Sequence, residues 1–403
     1  MIFGGLHTRL AAIERAIKKL GDAQRDQATT LHGRMAQVEQ SVATGATAKD
    51  VRALTETVRA LERRVADAEE RRLHDAGRAG RRRLAEHRLR AHLDRVAASD
   101  APVLIGPWTG EVGFELLYWV PFVRWACTEW HIAPERLRVM SRGGVESWYG
   151  VAREQYLDAF TVVTPADFRA SVAAEKLKQR RAGAFDERLT AAAAAQFDGA
   201  GLESLHPSLM YRMFMPFWRD ELGPSRVDHF ATYSAITAPR EPVPSPVPSD
   251  YVAVRFYFSD AFPDTAANRA CARDVVAALA TQGDVVLLNP QVEPDDHADW
   301  MPAQGGRVHT IGNVAAERNL AVQSEIIAGA RAFVGTYGGY SYLAPFLGVP
   351  ALAFYSDRTF KRHHLHLAER VFDRLGPATV MPVDVAHAAV VQAALGRVAG
   401  AHR

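Results

Sequence analysis

Apolar residues recur at alternating spacings of three and four positions through the first part of the chain. The stripe consists of Leu10, Ile13, Ile17, Leu20, Leu31, Met35, Val38, Val42, Val51, Leu54, Val58, Leu61 and Val65. This spacing is typical of a coiled-coil seam, so residues 1–98 are predicted to form a helical coiled coil that mediates self-association. Gly45 interrupts the stripe, and Gln24 and Gln27 occupy seam positions, which limits its length. The alternative is a solvated helical hairpin that packs on its own protein.

The pattern changes at residue 99 to short apolar runs separated by turns. PVLIG predicts a buried strand, PWTGEVG a glycine-containing turn, and FELLYWVPFVRWACTEW a helix with an apolar face. RLRVMSRGG repeats the strand and the turn, and residues 150–235 are interpreted mainly as helices. Residues 99–238 are therefore predicted to form a first α/β lobe. Residues 239–249 follow as a connector, because their alternating prolines cannot continue a helix.

Strands and helices alternate through the remaining residues, 250–403. DYVAVRFYF, DVVLLNP, RVHTIG, RAFVGT and ALAFYS are predicted strands, and NRACARDVVAALATQG and NLAVQSEIIAGA are predicted helices. Such alternation implies a mainly parallel sheet, and ligands of parallel sheets bind beyond the carboxyl ends of the strands. The predicted fold class is α/β, with two Rossmann-like lobes preceded by the helical coiled coil.

Composition and charge indicate which partners the protein can bind and in which compartment it is found. The formal net charge of +2 argues against a dedicated nucleic-acid binder. Cys127 and Cys271 have no CxxC spacing, which makes disulfides and cysteine-ligated zinc unexpected. No apolar stretch approaches ~18 residues, and the N-terminus lacks the apolar core of a secretory signal. We therefore expect a cytoplasmic protein.

A dense group of arginines follows the predicted coiled coil. It comprises Arg71, Arg72, Arg78, Arg81, Arg82, Arg83, Arg88 and Arg90. A basic helix can rest on an anionic membrane surface, so peripheral contact with the inner face of the cell membrane is one hypothesis. A solvated charged face is the other.

The segment RAFVGTYGGYSYLAPFLGVPALAFYS carries the most chemistry. Gly335, Gly338 and Gly339 allow a sharp turn and close approach of a ligand, because no β-carbon blocks the backbone. Thr336, Tyr337 and Ser341 supply hydroxyl groups, Tyr340 lies between them, and Ser341 is predicted to cap a short helix that ends at Gly348. The free amides and positive dipole end of that helix favour a phosphate. The alternative is a tight turn without a ligand.

The stretch NLAVQSEIIAGARAFVGTYGGYSYLAPFLGVPALAFYS resembles the donor half of GT-B glycosyltransferases. The similarity is to bacterial enzymes that assemble surface polysaccharides, of heptosyltransferase-like or fucosyltransferase-like type. It implies that residues 250–403 hold a nucleotide sugar and that residues 99–238 hold a glycan or lipid-linked acceptor. No cofactor is implied beyond this donor substrate, whose base is undetermined. Metal-independent transfer is expected, because Asp295 and Asp296 lack the spacing of a DxD motif.

The resemblance also implies roles for two residues of the second lobe, and position at the end of a strand indicates a role for a third. Arg255 near the end of DYVAVRFYF would stabilise the leaving nucleoside diphosphate, although the family-like HxRxGD motif is absent. An ion-paired strand residue is the alternative. Glu325 is placed near the ribose, and Asn289, at the end of a strand, is placed near the nucleotide.

In the first lobe, Glu111 is the candidate general base, because it lies in a glycine-flanked loop directly before a helix. Glu115 lies one turn later, and the alternative role for either carboxylate is to stabilise the helix dipole. His206 is an alternative base. Two other functions stay open at this point: a non-catalytic coiled-coil scaffold that keeps the ligand-binding shape, and a nucleotide-sugar epimerase.

Overall fold

A computed structural model describes residues 33, 36, 48–175, 179–197, 201–288, 298–301, 305–357 and 362–388. The chain divides into two compact units, Met1–Arg88 and Leu89–Arg403. Helix α1 (Ala48–Ala98) belongs to both, since its last ten residues, from Leu89 onward, lie in the second unit. The helix predicted over the end of the apolar stripe is confirmed. The stripe before residue 48 lies outside the described residues, and self-association stays a prediction.

The last turns of α1 are anchored to the second unit. Leu89, Leu93 and Val96 are buried. His92 Nε2 lies 2.8 Å from the carbonyl oxygen of Ser204, and the Trp130 indole donates to Asp94 over 2.7 Å. This end of the helix is therefore part of the second unit's core.

The first sheet has four parallel strands in the order β3-β2-β1-β4. The strands are β1 (Val103–Ile105), β2 (Leu137–Ser141), β3 (Tyr156–Asp158) and β4 (Glu203–Leu205). The mainly helical interpretation of residues 150–235 missed β3 and β4. Each has three residues, which is too short to show a two-residue period, and β4 carries the polar Glu203 and Ser204.

The helices of this lobe begin with a continuous segment after β1. It consists of α2 (Val112–Phe114), a π-helical turn (Glu115–Trp119) and α3 (Val120–Glu129). The others are α4 (Glu146–Tyr149), α5 (Pro165–Ala174), α6 (Ala184–Gln196), α7 (Ser208–Trp218) and α8 (Ser225–Asp228). Short 3-10 turns occupy Pro134–Arg136, Arg153–Gln155 and Ala159–Thr161.

The second sheet has six parallel strands in the order β12-β11-β10-β5-β7-β9. They are β5 (Tyr251–Arg255), β7 (Asp284–Leu287), β9 (Val308–Thr310), β10 (Ala332–Thr336), β11 (Ala351–Tyr355) and β12 (Val380–Asp384). The strand order reverses between β5 and β10. The α/β class with parallel sheets is confirmed, and the arrangement is consistent with a two-lobed Rossmann-like layout.

Four helices and a small ribbon complete this lobe among the described residues. The helices are α9 (Ala266–Gln282), α10 (Asn319–Ala328), α11 (Gly339–Phe346) and α12 (Arg362–Leu375). Strands β6 (Tyr257–Phe258) and β8 (Ala298–Asp299) pair in antiparallel orientation. Short 3-10 turns occupy Ala316–Arg318 and Val385–His387. The core includes Val254, Phe256, Val275, Val285 and Phe354.

The proline-rich connector has no helix or strand and is held against the second lobe. The backbone N–H of Arg240 donates to Glu325 over 3.0 Å, and Arg318 pairs with Glu241 at 2.6 Å. The Ser245 hydroxyl accepts from the Gly312 N–H over 3.2 Å. The path of these residues is thus fixed by polar contacts as well as by proline.

Candidate functional site

The glycine-rich segment lies where the strand order of the second sheet reverses. Gly335 of β10 pairs with Arg255 of β5, and a β-carbon on Gly335 would overlap the carbonyl oxygen of Arg255. Only glycine therefore allows the two strands to approach this closely. Such a reversal opens a crevice at the carboxyl ends of the strands, which is where ligands of open α/β sheets bind.

The turn after β10 is stabilised by its own serine. The Ser341 hydroxyl donates to the Gly338 carbonyl oxygen over 2.7 Å and accepts from the Gly338 N–H over 3.1 Å. Helix α11 begins at Gly339 with Gly338 as the N-cap, so the prediction of Ser341 as the N-cap is wrong. Ser341 lies in the first turn and reaches back to the cap. Gly338 also has a φ of +157°, and a β-carbon there would overlap the Tyr257 hydroxyl.

The other hydroxyls of the segment are engaged within the protein. The Thr336 hydroxyl accepts from the Tyr257 N–H over 3.0 Å and donates to the Tyr257 carbonyl oxygen over 2.8 Å. The Tyr337 and Tyr342 hydroxyls lie 2.5 Å apart, and burial raises the pKa of Tyr337. These groups shape the turn. The Tyr337 and Ser341 N–H groups are engaged as well, because they donate to the carbonyl oxygens of Phe354 and Gly338 over 2.9 and 3.0 Å.

Arg255 lies in a buried polar network beside the turn. The residue is 8% exposed, and its guanidinium pairs with both carboxylate oxygens of Asp299, at 3.0 and 3.3 Å. It donates to Gln323 over 3.4 Å and lies 4.1 Å from the ring centre of Tyr340. Burial opposes the charge, but Tyr340 and Asp299 raise the pKa of Arg255 above its ordinary value. The guanidinium is therefore held charged at the crevice, as an ion-paired strand residue.

Glu325 is not part of this group. It accepts from the Arg240 N–H. Burial raises the pKa of Tyr251, the first residue of β5, and the charge of Glu325 raises it further. Arg255 ends that strand, so Glu325 lies near the amino edge of the sheet. Asn289, the other residue predicted to contact the nucleotide, lies outside the described residues.

Two polar residues of α10 that the sequence interpretation missed belong to the network around Arg255. Gln323 accepts from Arg255 and donates to Asn319, and both side chains are buried. They are four residues apart, a spacing that places them on one face of the helix. In the sequence, only this spacing indicates that the two polar side chains lie together.

The helices of the two lobes meet at their N-termini. A β-carbon on Gly339 would lie 2.7 Å from the Gly113 nitrogen, and one on Gly113 would lie 3.2 Å from the Gly339 Cα. The first turn of each helix has N–H groups without an acceptor in its own helix, and each end carries partial positive charge. Two such ends in contact favour a bound anion beside them.

Glu111 is the residue that immediately precedes this contact. It is the exposed N-cap of α2, and its side chain makes no capping hydrogen bond. The structure thus brings Glu111 close to Gly339. The Arg255 guanidinium packs on the ring of Tyr340, in the same turn. His206, the alternative base, lies 3.5 Å from Asp186 and accepts from the Ser208 N–H.

Glu115, one turn later, is completely buried in the π-helical turn. It accepts from the Ser141 hydroxyl over 2.5 Å and from the Tyr149 hydroxyl over 2.6 Å, and pairs with Arg142 at 3.3 Å. Burial raises the pKa of Glu115, while Arg142 and the two hydroxyls oppose this shift. Its contacts give it a structural role in the first lobe.

The loop after β2 joins this cluster to the second lobe. Gly143 and Gly144 both have positive φ, and β-carbons on them would collide with Leu320 and with the Glu317 carbonyl oxygen. The Gly143 carbonyl oxygen accepts from the Ala321 N–H over 2.8 Å, in the first turn of α10. The first lobe therefore satisfies an amide of the helix that carries Gln323.

Asp158 at the end of β3 holds the same loop and gives a pH-dependent prediction. It accepts from the Gly144 N–H over 2.8 Å, and burial raises its pKa from 3.8 to about 7 despite this bond. The folded protein thus binds the Asp158 proton more tightly than the unfolded protein does. The contribution of this proton to the free energy of unfolding is complete below pH 3.8 and is lost as the pH rises to about 7. From about pH 4 to about pH 7, wild type should lose thermal stability relative to Asp158→Asn. Parallel unfolding midpoints for the two proteins across this range would contradict the assignment.

An aromatic group borders the contact between the helix ends. The Phe114 ring lies 5.4 Å from Trp218 and 5.2 Å from His364, and the Tyr118 hydroxyl is hydrogen-bonded to His364 Nδ1. Arg370 of α12 pairs with Asp228 at 2.6 Å. These contacts join α7 and α8 of the first lobe to α12 of the second.

Among the described residues, no group of three or more His, Cys, Asp or Glu side chains is arranged to hold a metal ion. None of the helices in the described part of the chain is long and apolar enough to cross a membrane. No protein-family model, curated protein or solved structure matches the chain.

Proposed function

We propose that the chain is a GT-B glycosyltransferase that moves a sugar from a nucleotide-sugar donor to a glycan or lipid-linked acceptor, in surface polysaccharide synthesis. The observation that carries this proposal is the contact between two helix N-termini, at Gly113 and Gly339, where the strand order of the second sheet reverses. The donor is assigned to the second lobe and the acceptor to the first.

A diphosphate suits this position better than a single carboxylate does. Negative charge grows on the leaving nucleoside diphosphate during transfer, and preorganised N–H groups and a guanidinium stabilise such charge. The two helix ends supply the N–H groups and Arg255 supplies the guanidinium. In the structure the two oxygens of Asp299 accept hydrogen bonds from one edge of the Arg255 guanidinium. A diphosphate bound there would take the place of this carboxylate and accept the same two hydrogen bonds.

Within this proposal, Glu111 removes the proton of the acceptor hydroxyl. It is exposed and adjoins the two helix ends, whereas Glu115 is buried and already accepts hydrogen bonds from Ser141 and Tyr149. A general base must reach the proton it removes, and only the exposed carboxylate has access to a substrate. Self-association through the N-terminal part and membrane contact by the arginine-rich stretch remain separate predictions.

Calorimetry with GDP, UDP, ADP, CDP and dTDP tests the proposal. Wild type should bind one nucleoside diphosphate at least about tenfold more tightly than the corresponding nucleoside, because the phosphates provide charge-assisted hydrogen bonds. Gly339→Ala should weaken binding of that nucleotide by about tenfold or more, since its β-carbon would sit among the amides that bind the phosphates. Gly223→Ala is the matched control, because a β-carbon there meets no atom within 4 Å.

Absence of binding to all five nucleotides in the wild type would sink the proposal. A loss in Gly339→Ala counts only if circular dichroism shows that this variant is folded. Product analysis then separates the open alternatives. A transferase releases free nucleoside diphosphate when acceptor is present, an epimerase converts the sugar nucleotide without acceptor, and a scaffold does neither.

A further inference from the structure

A short loop of the first lobe, residues 179–183, is fixed against the loop that leads to Glu111. Gln179 is 2% exposed and has a φ of +58°. Its amide donates to the Pro107 carbonyl oxygen over 2.7 Å and to Asp186 over 2.8 Å, and its oxygen accepts from the Thr109 N–H over 3.1 Å. A left-handed conformation is unfavourable for a non-glycine residue, so these three bonds hold the loop in a defined position.

Two exposed arginines, Arg180 and Arg181, follow Gln179 directly. The carboxylates of two residues that flank the loop, Glu175 and Asp186, accept hydrogen bonds from this part of the chain. Asp186 accepts from Gln179 and from the Gly183 N–H, over 3.0 Å in the latter case, and Glu175 accepts from the Phe185 N–H over 3.1 Å. The loop therefore presents positive charge from a fixed backbone rather than from a solvated tail.

Tyr211 interacts electrostatically with both Arg180 and Glu111. Burial raises the pKa of Tyr211, the charge of Glu111 raises it further, and the charge of Arg180 lowers it. Glu111 and Arg180 thus act on the same phenol, which is itself nearly buried on α7. Gln179, which precedes Arg180, accepts from the N–H of Thr109, two residues before Glu111, and both charged side chains are exposed. A cation and a carboxylate therefore border one surface of the first lobe.

We infer that the acceptor carries an oxyanion close to the hydroxyl that reacts, and that Arg180 and Arg181 bind this group. The inference deepens the proposed function and rests on it. Guanidinium groups bind carboxylates and phosphates through paired hydrogen bonds. The oxyanion is either the phosphate of a lipid-linked acceptor or the carboxylate of an acidic sugar, and both present the same chemistry to the arginines.

Binding measurements on the full chain test this inference with three probes. They are a glucuronate-terminated tetrasaccharide, its carboxyl-reduced neutral counterpart, and farnesyl diphosphate-linked N-acetylglucosamine. Wild type should bind one of the two anionic probes about tenfold more tightly than the neutral one, and added salt should reduce this preference. The anionic probe that binds identifies the source of the oxyanion.

The variant Arg180→Ala/Arg181→Ala should lose this preference, while its affinity for the nucleoside diphosphate stays unchanged. Arg273→Ala is the matched control, because Arg273 is an exposed arginine of α9 in the other lobe, and it should keep the preference. Equal binding of anionic and neutral probes by wild type, or an unaltered preference in the double variant, would overturn the inference. Failure of nucleotide binding alone would overturn the proposed function, whereas loss of the anion preference with nucleotide binding intact would overturn only this inference.

Discussion

Gly335→Ala is expected to destabilise the protein by about 3 kcal/mol or more. The new β-carbon would overlap the carbonyl oxygen of Arg255, which belongs to the adjacent strand. Neither atom can move away alone, because both are part of the parallel pairing between β5 and β10. Urea unfolding followed by circular dichroism measures the loss.

Gly223→Ala provides the comparison for this variant. A β-carbon at Gly223 meets nothing within 4 Å, so its stability should change by less than about 0.5 kcal/mol. If the two variants unfolded at the same urea concentration, the close approach of the strands at Gly335 would not be a determinant of stability.

Glu115→Ala is expected to cost about 3–5 kcal/mol, because it leaves the buried Arg142 without its partner. It also removes the acceptor of the Ser141 and Tyr149 hydroxyls. Urea unfolding again provides the measurement. Joint replacement with Glu115→Leu and Arg142→Met should recover most of the loss, since apolar side chains of similar size remove both charges.

The pair between Glu146 and Arg153 is the natural control. It is also an ion pair of the first lobe, at 3.0 Å, but the Arg153 side chain is half exposed. Glu146→Ala should therefore cost no more than about 1 kcal/mol. Similar losses in Glu115→Ala and Glu146→Ala would show that burial does not set the energetic importance of Glu115.

Local patterns in the sequence were sufficient for the parallel sheet and for the strand, turn and helix around Gly338. In that segment, apolar periodicity, glycine and proline all indicate the same elements, and no distant residue is needed to form them. The N-cap of α11 was misplaced by three residues, at Ser341 instead of Gly338, because a serine at the N-cap and one in the first turn look alike in sequence. Only the hydrogen bonds from Ser341 back to Gly338 distinguish them.

The tertiary contacts of the candidate site could not be predicted from the sequence. Nothing near Arg255 in the chain indicates Asp299, and nothing near Gly113 indicates Gly339, since these contacts form between distant elements. Glu325 illustrates a different error. In a strand-helix-strand unit the helix runs back along the sheet, so a residue late in α10 lies towards the amino edge, and Gln323 and Asn319 lie nearer to Arg255.

The contact between Gly113 and Gly339 limits which first and second lobes can be combined in one hybrid protein. Each backbone occupies the volume in which the other would place a side chain, so the two positions must be compatible with each other. A hybrid protein that takes its first half from a different parent brings a foreign residue to one side of this contact. Joining two such halves at residues 239–249 therefore requires that the parents match at Gly113 and Gly339, and at the neighbouring contact of Gly143 with Leu320.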